Sequence, residues 1–271
     1  MDIAERQKIL KAGLNRLYKK FDRSFISPDP LECVPVKGDF KDIELSAFLA
    51  AVFAYGRADL IVRNVRGILE ELGPRPHMTL MSGGYKTKFK KFKYRFHKRP
   101  DLLWLLSRLE KIYKKHGTLE EAYASGGGTH KERMEKFSKQ FTTARQKSNR
   151  KFLVPAPSRS ACKRTNLFLR WMVRKDDVDL GLWKKVEPRD LIIPMDVHVH
   201  RIARRIGLVG NGAASFAKAQ ELTDNLRTFD ADDPVRFDFA ICSLGKLGHC
   251  QKTPVGANCE NCALEKLCSK R

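Results

Sequence analysis

Four cysteines fall within the last 22 residues, spaced Cys250-x8-Cys259-x2-Cys262-x5-Cys268. The two-residue gap of Cys259-Glu-Asn-Cys262 lets both thiolates face one centre. Thiolates suit zinc or an iron–sulfur cluster. Four unrelated buried thiols would not crowd in this way. A zinc site usually pairs two tight knuckles and only one is present, so spacing alone leaves both metals open. The N-terminus is charged from Asp2 onward and has no signal-peptide core. No stretch of about 18 apolar residues exists, which excludes a transmembrane helix. The expected setting is intracellular and reducing, where clustered thiols bind metal rather than pair.

The charge balance restricts the partner. The chain has 53 Lys+Arg against 31 Asp+Glu, a net charge of +22 over 271 residues. That excess points to a polyanion, namely DNA, RNA or an anionic membrane surface, and away from acidic partners as the main design. With 42% apolar and 31% charged residues the composition is that of a soluble globular protein. The length allows one large domain or two small ones.

Hydrophobic periodicity predicts an all-α chain. Residues 4–22 place Ile9, Leu10, Leu14, Leu17, Tyr18 and Phe21 at helical spacing. The run from Asp42 to Leu60 is mostly apolar and reads as a buried helix, with a break at Gly56-Arg57. A second helix follows to Gly73-Pro74. Residues 101–114 form another amphipathic helix, and Thr118 starts a short one. Residues 130–151 read as a solvated helix or loop, and 166–173 as a central helix. Residues 213–227 and 235–244 supply two more. The stripe from Lys86 to Arg99 interleaves eight Lys/Arg with Phe89, Phe92, Tyr94 and Phe96. It reads either as a phosphate track with stacking rings or as an amphipathic helix with its rings in the core, and the second is favoured for the rings. The best strand candidate by period is 191–200, which Pro194 weakens.

The segment from Gly245 to Cys268 resembles the C-terminal cluster of endonuclease III-like DNA glycosylases, whose [4Fe–4S] ligands are spaced C-x6-C-x2-C-x5-C. Here the first interval is eight. Two further segments are similar to the helix-hairpin-helix glycosylase superfamily. Pro157 to Arg170 resembles the family hairpin and its second helix, which puts Lys163 on the catalytic lysine. Pro194 to Arg205 resembles V-D-T-H-I-x-R-V-x-x-R, which puts Asp196 on the catalytic aspartate at the start of a helix. A weaker match covers Glu44 to Asp59, and residues 75–155 carry no family motif. The runs Ala161 to Arg164 and Arg170 to Arg174 resemble those of a subfamily of hypothetical proteins.

The resemblance implies a two-lobed helix-hairpin-helix fold with a C-terminal four-cysteine loop. Residues 39–187 would form the helical lobe with the hairpin. Residues 1–38 and 188–271 would form the second lobe, with a [4Fe–4S] cluster on Cys250, Cys259, Cys262 and Cys268, or alternatively zinc. The implied activity is DNA base excision by a monomer acting on double-stranded DNA with a damaged base or an abasic site. A flipped nucleotide would enter the cleft. Asp196 would stabilise oxocarbenium charge, and Lys163 would attack C1′ and form a Schiff base for strand cleavage. Burial and the neighbouring Arg164 are expected to lower the Lys163 pKa and free its amine. Asp196 also reads as a helix N-cap, a compatible role, and His198 as structural.

The family hairpin binds phosphate through backbone N–H groups beside two glycines. Here those positions are Arg159 and Ala161 with Ser160 between, and Arg159 offers a charged contact instead. Further candidates for DNA contact are Arg164, Lys252 in the widened loop 251–258, and Tyr55 and Arg57 as wedges beside a flipped base. Tyr55 reads equally well as core. Two rivals remain at this stage: a monofunctional glycosylase in which Asp196 activates water, and a non-catalytic nucleic-acid-binding protein that keeps the fold.

Overall fold

The computed structural model describes residues 2–143, 148–253 and 259–269. Among these residues the chain is mostly helical, in line with the all-α expectation. The helices are α1 (Ile3–Lys20), α2 (Phe40–Val52), α3 (Ala58–Leu72), α4 (Pro76–Met81), α5 (Arg99–His116), α6 (Leu119–Ala124), α7 (His130–Gln140), α8 (Ser148–Leu153), α9 (Lys163–Val173), α10 (Val197–Arg205), α11 (Phe216–Arg227) and α12 (Asp238–Lys246). Among the described residues, six of these twelve starts have a side-chain cap. Asp2, Asp39, Thr118, Thr129, Asp196 and Ser215 each accept from a backbone N–H in the first turn.

Helix α2 is buried almost all round and lies against α9. Phe48 of α2 meets Phe168 of α9 and Phe137 and Phe141 at the end of α7, with ring centroids 5.1–6.1 Å apart. The one acid in the middle of α2, Glu44, is fully buried. It accepts from Tyr113 Oη (3.0 Å), Trp183 Nε1 (2.8 Å) and the backbone N–H groups of Leu119 and Glu120 at the start of α6 (2.9 and 3.1 Å). Burial raises its pKa, and the four donors oppose that shift. Elsewhere α10 packs on α12 and α12 on α1, and a single hydrophobic core runs through both sets of helices. The turn Pro30–Cys33 packs on α2 and α3, whereas α1 packs on α12. The segment 1–38 therefore touches both sets.

Three local expectations need correction. Lys86–Arg99 is no amphipathic helix: it is a 3-10 turn at Gly84–Thr87 followed by a tight antiparallel ribbon, β1 (Lys93–Tyr94) and β2 (His97–Lys98). Phe89 and Arg95 take left-handed φ of +64° and +53°, which no helix tolerates. Phe89 and Tyr94 are buried as expected, but Phe96 is exposed. Next, the basic stretch 130–151 is not simply solvated, because α7 buries Met134, Phe137 and Ser138. Last, the period-two run at 197–200 is helix α10, since the Asp196 carboxylate takes the N–H groups of His198 and Val199 (both 2.8 Å). A cap outweighs four residues of alternation.

Two stability predictions follow from this packing. Gly13 of α1 is pressed against the C-terminal segment, where an added Cβ would lie 2.6 Å from the Ala263 carbonyl oxygen. Gly67 of α3 has nothing within 4 Å of that position. Gly13→Ala should therefore lower stability by about 1–3 kcal/mol, and Gly67→Ala should raise it by about 0.4–1 kcal/mol. Chemical denaturation measures both. The second prediction concerns His130, which joins Tyr123 Oη (2.9 Å) to Asn166 Oδ1 (3.0 Å) between α6, α7 and α9. Burial pushes its pKa down from 6.5 to about 4. The folded state thus holds the neutral ring. Its contribution is full above about pH 6.5 and is lost as pH falls toward about 4, by up to about 1.4 kcal/mol per pH unit. Denaturation at pH 7 and pH 4.5 should show a smaller acid loss for His130→Gln than for the unsubstituted chain.

Candidate active site

Helix α9 starts abruptly. Cys162 takes the left-handed conformation (φ 51°, ψ 32°) and its N–H donates to Ser160 Oγ (3.1 Å). This turn delivers Lys163 at the first helical position. Its Nζ lies 3.5 Å from Asp196 Oδ2, so residues 33 positions apart meet where the starts of α9 and α10 come together. Asp196 divides its oxygens. Oδ1 caps α10 through His198 and Val199, while Oδ2 faces Lys163 and accepts from the Cys242 thiol at 3.6 Å. The Asp196 side chain is 11% exposed and that of Lys163 36% exposed. The ammonium is therefore partly exposed and the carboxylate largely covered.

Electrostatics reverse one expectation. Burial by itself would lower the Lys163 pKa, but Asp196, then Cys242, Asp29 and Asp238, outweigh it and the net shift is upward. Asp196 moves the opposite way. Burial opposes ionisation, but the Lys163 ammonium and the Val199 N–H hold the carboxyl below its ordinary value. At neutral pH the two are a charged ion pair, not a free amine beside an acid. Arg164 gives no help, because it points into the core. It donates to the carbonyls of Val52 (3.1 Å) and Phe152 and lies over the rings of Phe152 and Tyr55 (4.0 and 5.3 Å).

Around this pair lie groups that the motifs did not reveal. Lys246 of α12 sits 3.6 Å from Asp29 and donates to the Ile26 carbonyl (3.3 Å). Asp29 and Cys242 both act on Lys163 electrostatically. The site is thus two lysine–aspartate pairs with a half-buried thiol beside them. Close packing of α10 on α12 depends on Gly245, where a Cβ would come 2.5 Å from His198 Nδ1. His198 is structural in this sense, and its Nδ1 also meets Arg201 Nη2 (3.2 Å).

The other candidates are dispersed. Arg159 belongs to the 3-10 turn Pro157–Arg159; Ser160 is half-buried and Ala161 buried. Tyr55 is half-buried, with its hydroxyl 2.5 Å from His97 Nδ1. Arg57 is exposed and paired with Asp59 (2.9 Å). Lys252 is exposed, and its carbonyl accepts from Arg205 (2.9 Å). The rest of that loop, 254–258, lies outside the described residues.

The cysteines lie near one another. Burial raises the Cys262 thiol, and Cys250, Cys259 and Cys268 raise it further. Arg205 Nη1 approaches Cys250 Sγ at 3.0 Å, and Arg201 Nη2 holds the Cys250 carbonyl at 2.7 Å. Among the described residues no three His, Cys, Asp or Glu side chains form a metal-holding group. The donor chemistry nevertheless fits a thiolate-bound metal. Burial and the three neighbouring cysteines disfavour ionisation of Cys262, and a bound cation removes that conflict. Helix α10 bears Asp196 at its start and grips the cysteine segment with Arg201 and Arg205 near its end.

No curated protein and no solved structure matches the chain. A protein family described as "Protein of unknown function (DUF2400)" matches residues 29–247. That range contains Asp29, Lys163, Asp196, Cys242 and Lys246 and stops ahead of Cys250. With most of its length matched, the chain belongs to the DUF2400 family.

Proposed function

We propose that the protein is a DNA base-excision repair glycosylase of the two-lobed helix-hairpin-helix type, with AP-lyase activity at Lys163. The observation that carries this reading is the 3.5 Å approach of Lys163 Nζ to Asp196 Oδ2, with both side chains partly exposed. The net charge of +22 supports a DNA substrate. A flipped deoxynucleotide enters between the two groups. Asp196, fixed by its two cap bonds, faces the sugar and stabilises positive charge at C1′ as the glycosidic bond breaks. Lys163 must first lose a proton. It passes to Asp196 Oδ2 and then to the departing base, while the freed amine bonds to C1′. Opening of the C1′–O4′ bond turns this aminal into a Schiff base, and loss of a C2′ proton then expels the 3′ phosphate. Cys250, Cys259, Cys262 and Cys268 would hold a [4Fe–4S] cluster, a structural crosslink that fixes the C-terminal segment against α10.

The same ion pair favours a second reading. An ammonium is no nucleophile, so Asp196 can instead activate water for base removal alone. Borohydride trapping on damaged duplexes separates the two. For the lyase, Lys163→Ala abolishes the covalent adduct and Asp196→Asn slows base release about 100-fold or more. Because neighbouring acids raise the Lys163 pKa, trapping should accelerate with rising pH into the alkaline range. Asp196→Asn should shift that rise to lower pH. Base release without any adduct selects the water mechanism, and no base release from any damaged duplex overturns both.

The metal is tested separately. Anaerobically purified protein should contain about four iron atoms and matching sulfide per chain, lost in Cys262→Ala together with thermal stability. Zinc in their place would exclude the iron–sulfur assignment.

A further inference from the structure

The ribbon β1–β2 has a feature that the chemistry at Lys163 does not use. Its tip, Arg95-Phe96, presents Phe96 with 48% exposure, although Phe96 contacts the rings of Tyr55 (5.9 Å, nearly parallel) and Phe152 (5.2 Å, edge-on). Phe152 of α8 is itself 39% exposed. Two adjacent, half-open phenyl rings are unusual on so charged a surface, where bulky apolar groups are expected to be covered.

This pair is held rigidly. His97, fully buried, links Tyr55 Oη (2.5 Å) to the Asn149 carbonyl at the start of α8 (2.8 Å). Tyr94 Oη donates to the Tyr55 carbonyl (2.5 Å), and the Arg164 guanidinium lies 4.0 Å from the centre of the Phe152 ring. Ribbon, α8 and the turn after α2 thus form one locked aromatic unit. Arg95 takes the left-handed backbone that a two-residue hairpin turn requires, which fixes Phe96 at the tip.

The surroundings specify the occupant. Lys91, Lys93, Arg95, Lys98 and Lys151 are exposed, and none of them is in an ion pair among the described residues. Behind Phe152 opens a cleft of about 620 Å³, lined also by Lys139, Phe141, Lys151 and Ser160. Exposed ring faces bordered by unpaired cations, beside a cleft with polar groups, match flat heteroaromatic rings joined by phosphates. A paired base in a duplex shows only its edges, so the matching form is an unpaired one.

We propose that Phe96 and Phe152 form a stacking site for the unpaired bases of a single-stranded polynucleotide, with the ribbon and α8 cations along its phosphates. This site goes beyond the repair reading and does not require Lys163 chemistry. The test is fluorescence anisotropy of the full chain with labelled oligo(dT), an equal-length duplex, and vesicles rich in phosphatidylserine. Phe96→Ala and Phe152→Ala should each weaken oligo(dT) binding about tenfold. Phe96→Trp should restore it, and duplex binding should change less than about twofold. Circular dichroism checks the Phe152 variant; the exposed Phe96 keeps the test valid if that variant misfolds. Lys163→Ala should bind oligo(dT) normally, so failure of the repair reading is distinguishable. Unchanged oligo(dT) binding in Phe96→Ala overturns the proposal. So does wild-type binding to vesicles but not to oligo(dT).

Discussion

Buried charge on one face of α9 fixes the relation between the helices that make the cleft. Arg170 pairs with Asp179 (3.1 Å) and Asp238, and Arg174 with Asp179, Asp176 (3.0 Å) and Asp233 (2.8 Å). Both guanidiniums are buried. Such charges are tolerable only when almost every donor finds an acceptor, so the network accepts one geometry and rejects near misses. Lys163 precedes Arg170 by two turns and lies on the same face. All three cations therefore meet acids from elsewhere in the chain: Asp196, Asp238 and Asp233. The network also reaches the cleft electrically. Burial, with Asp196 adding to it, pushes Asp238 up to about 7, while Arg170 opposes the shift.

Different parts of this arrangement were legible to different degrees. The apolar run of α2 and the central run of α9 were readable because their residues are buried by composition alone. The cap at Asp196 could be read only through the motif, since four alternating residues suggest a strand by period. The Lys86–Arg99 stripe was misleading for a physical reason. Pro100 stands in the first turn of α5 and left-handed backbone occurs at Phe89 and Arg95, so local chain geometry overrode a helical-looking pattern. At the site, Lys163 and Asp196 carried a recognisable neighbourhood. Asp29, Cys242 and Lys246 did not. They lie in a proline-rich loop and an unremarkable helix, and only the tertiary packing of α12 brings them to the cleft.

Helix α10 explains how a distant cysteine segment can matter to the cleft. Its nine residues run from just after the Asp196 cap to Arg205, which holds Cys250 Sγ and the carbonyls of Gln251 (2.7 Å) and Lys252 (2.9 Å). The Ser269 N–H in turn donates to the Arg205 carbonyl (2.8 Å). A helix this short is stiff, so a displacement of the cysteine segment would tilt the carboxylate that faces Lys163.

The contact of Gly13 with Ala263 has a consequence for biosynthesis. Helix α1 leaves the ribosome some 250 residues ahead of the segment that seats it. Closing so long a loop is slow compared with local helix formation. Until then, the apolar face of α1 must wait without its final partner, exposed to chaperones and to other nascent chains.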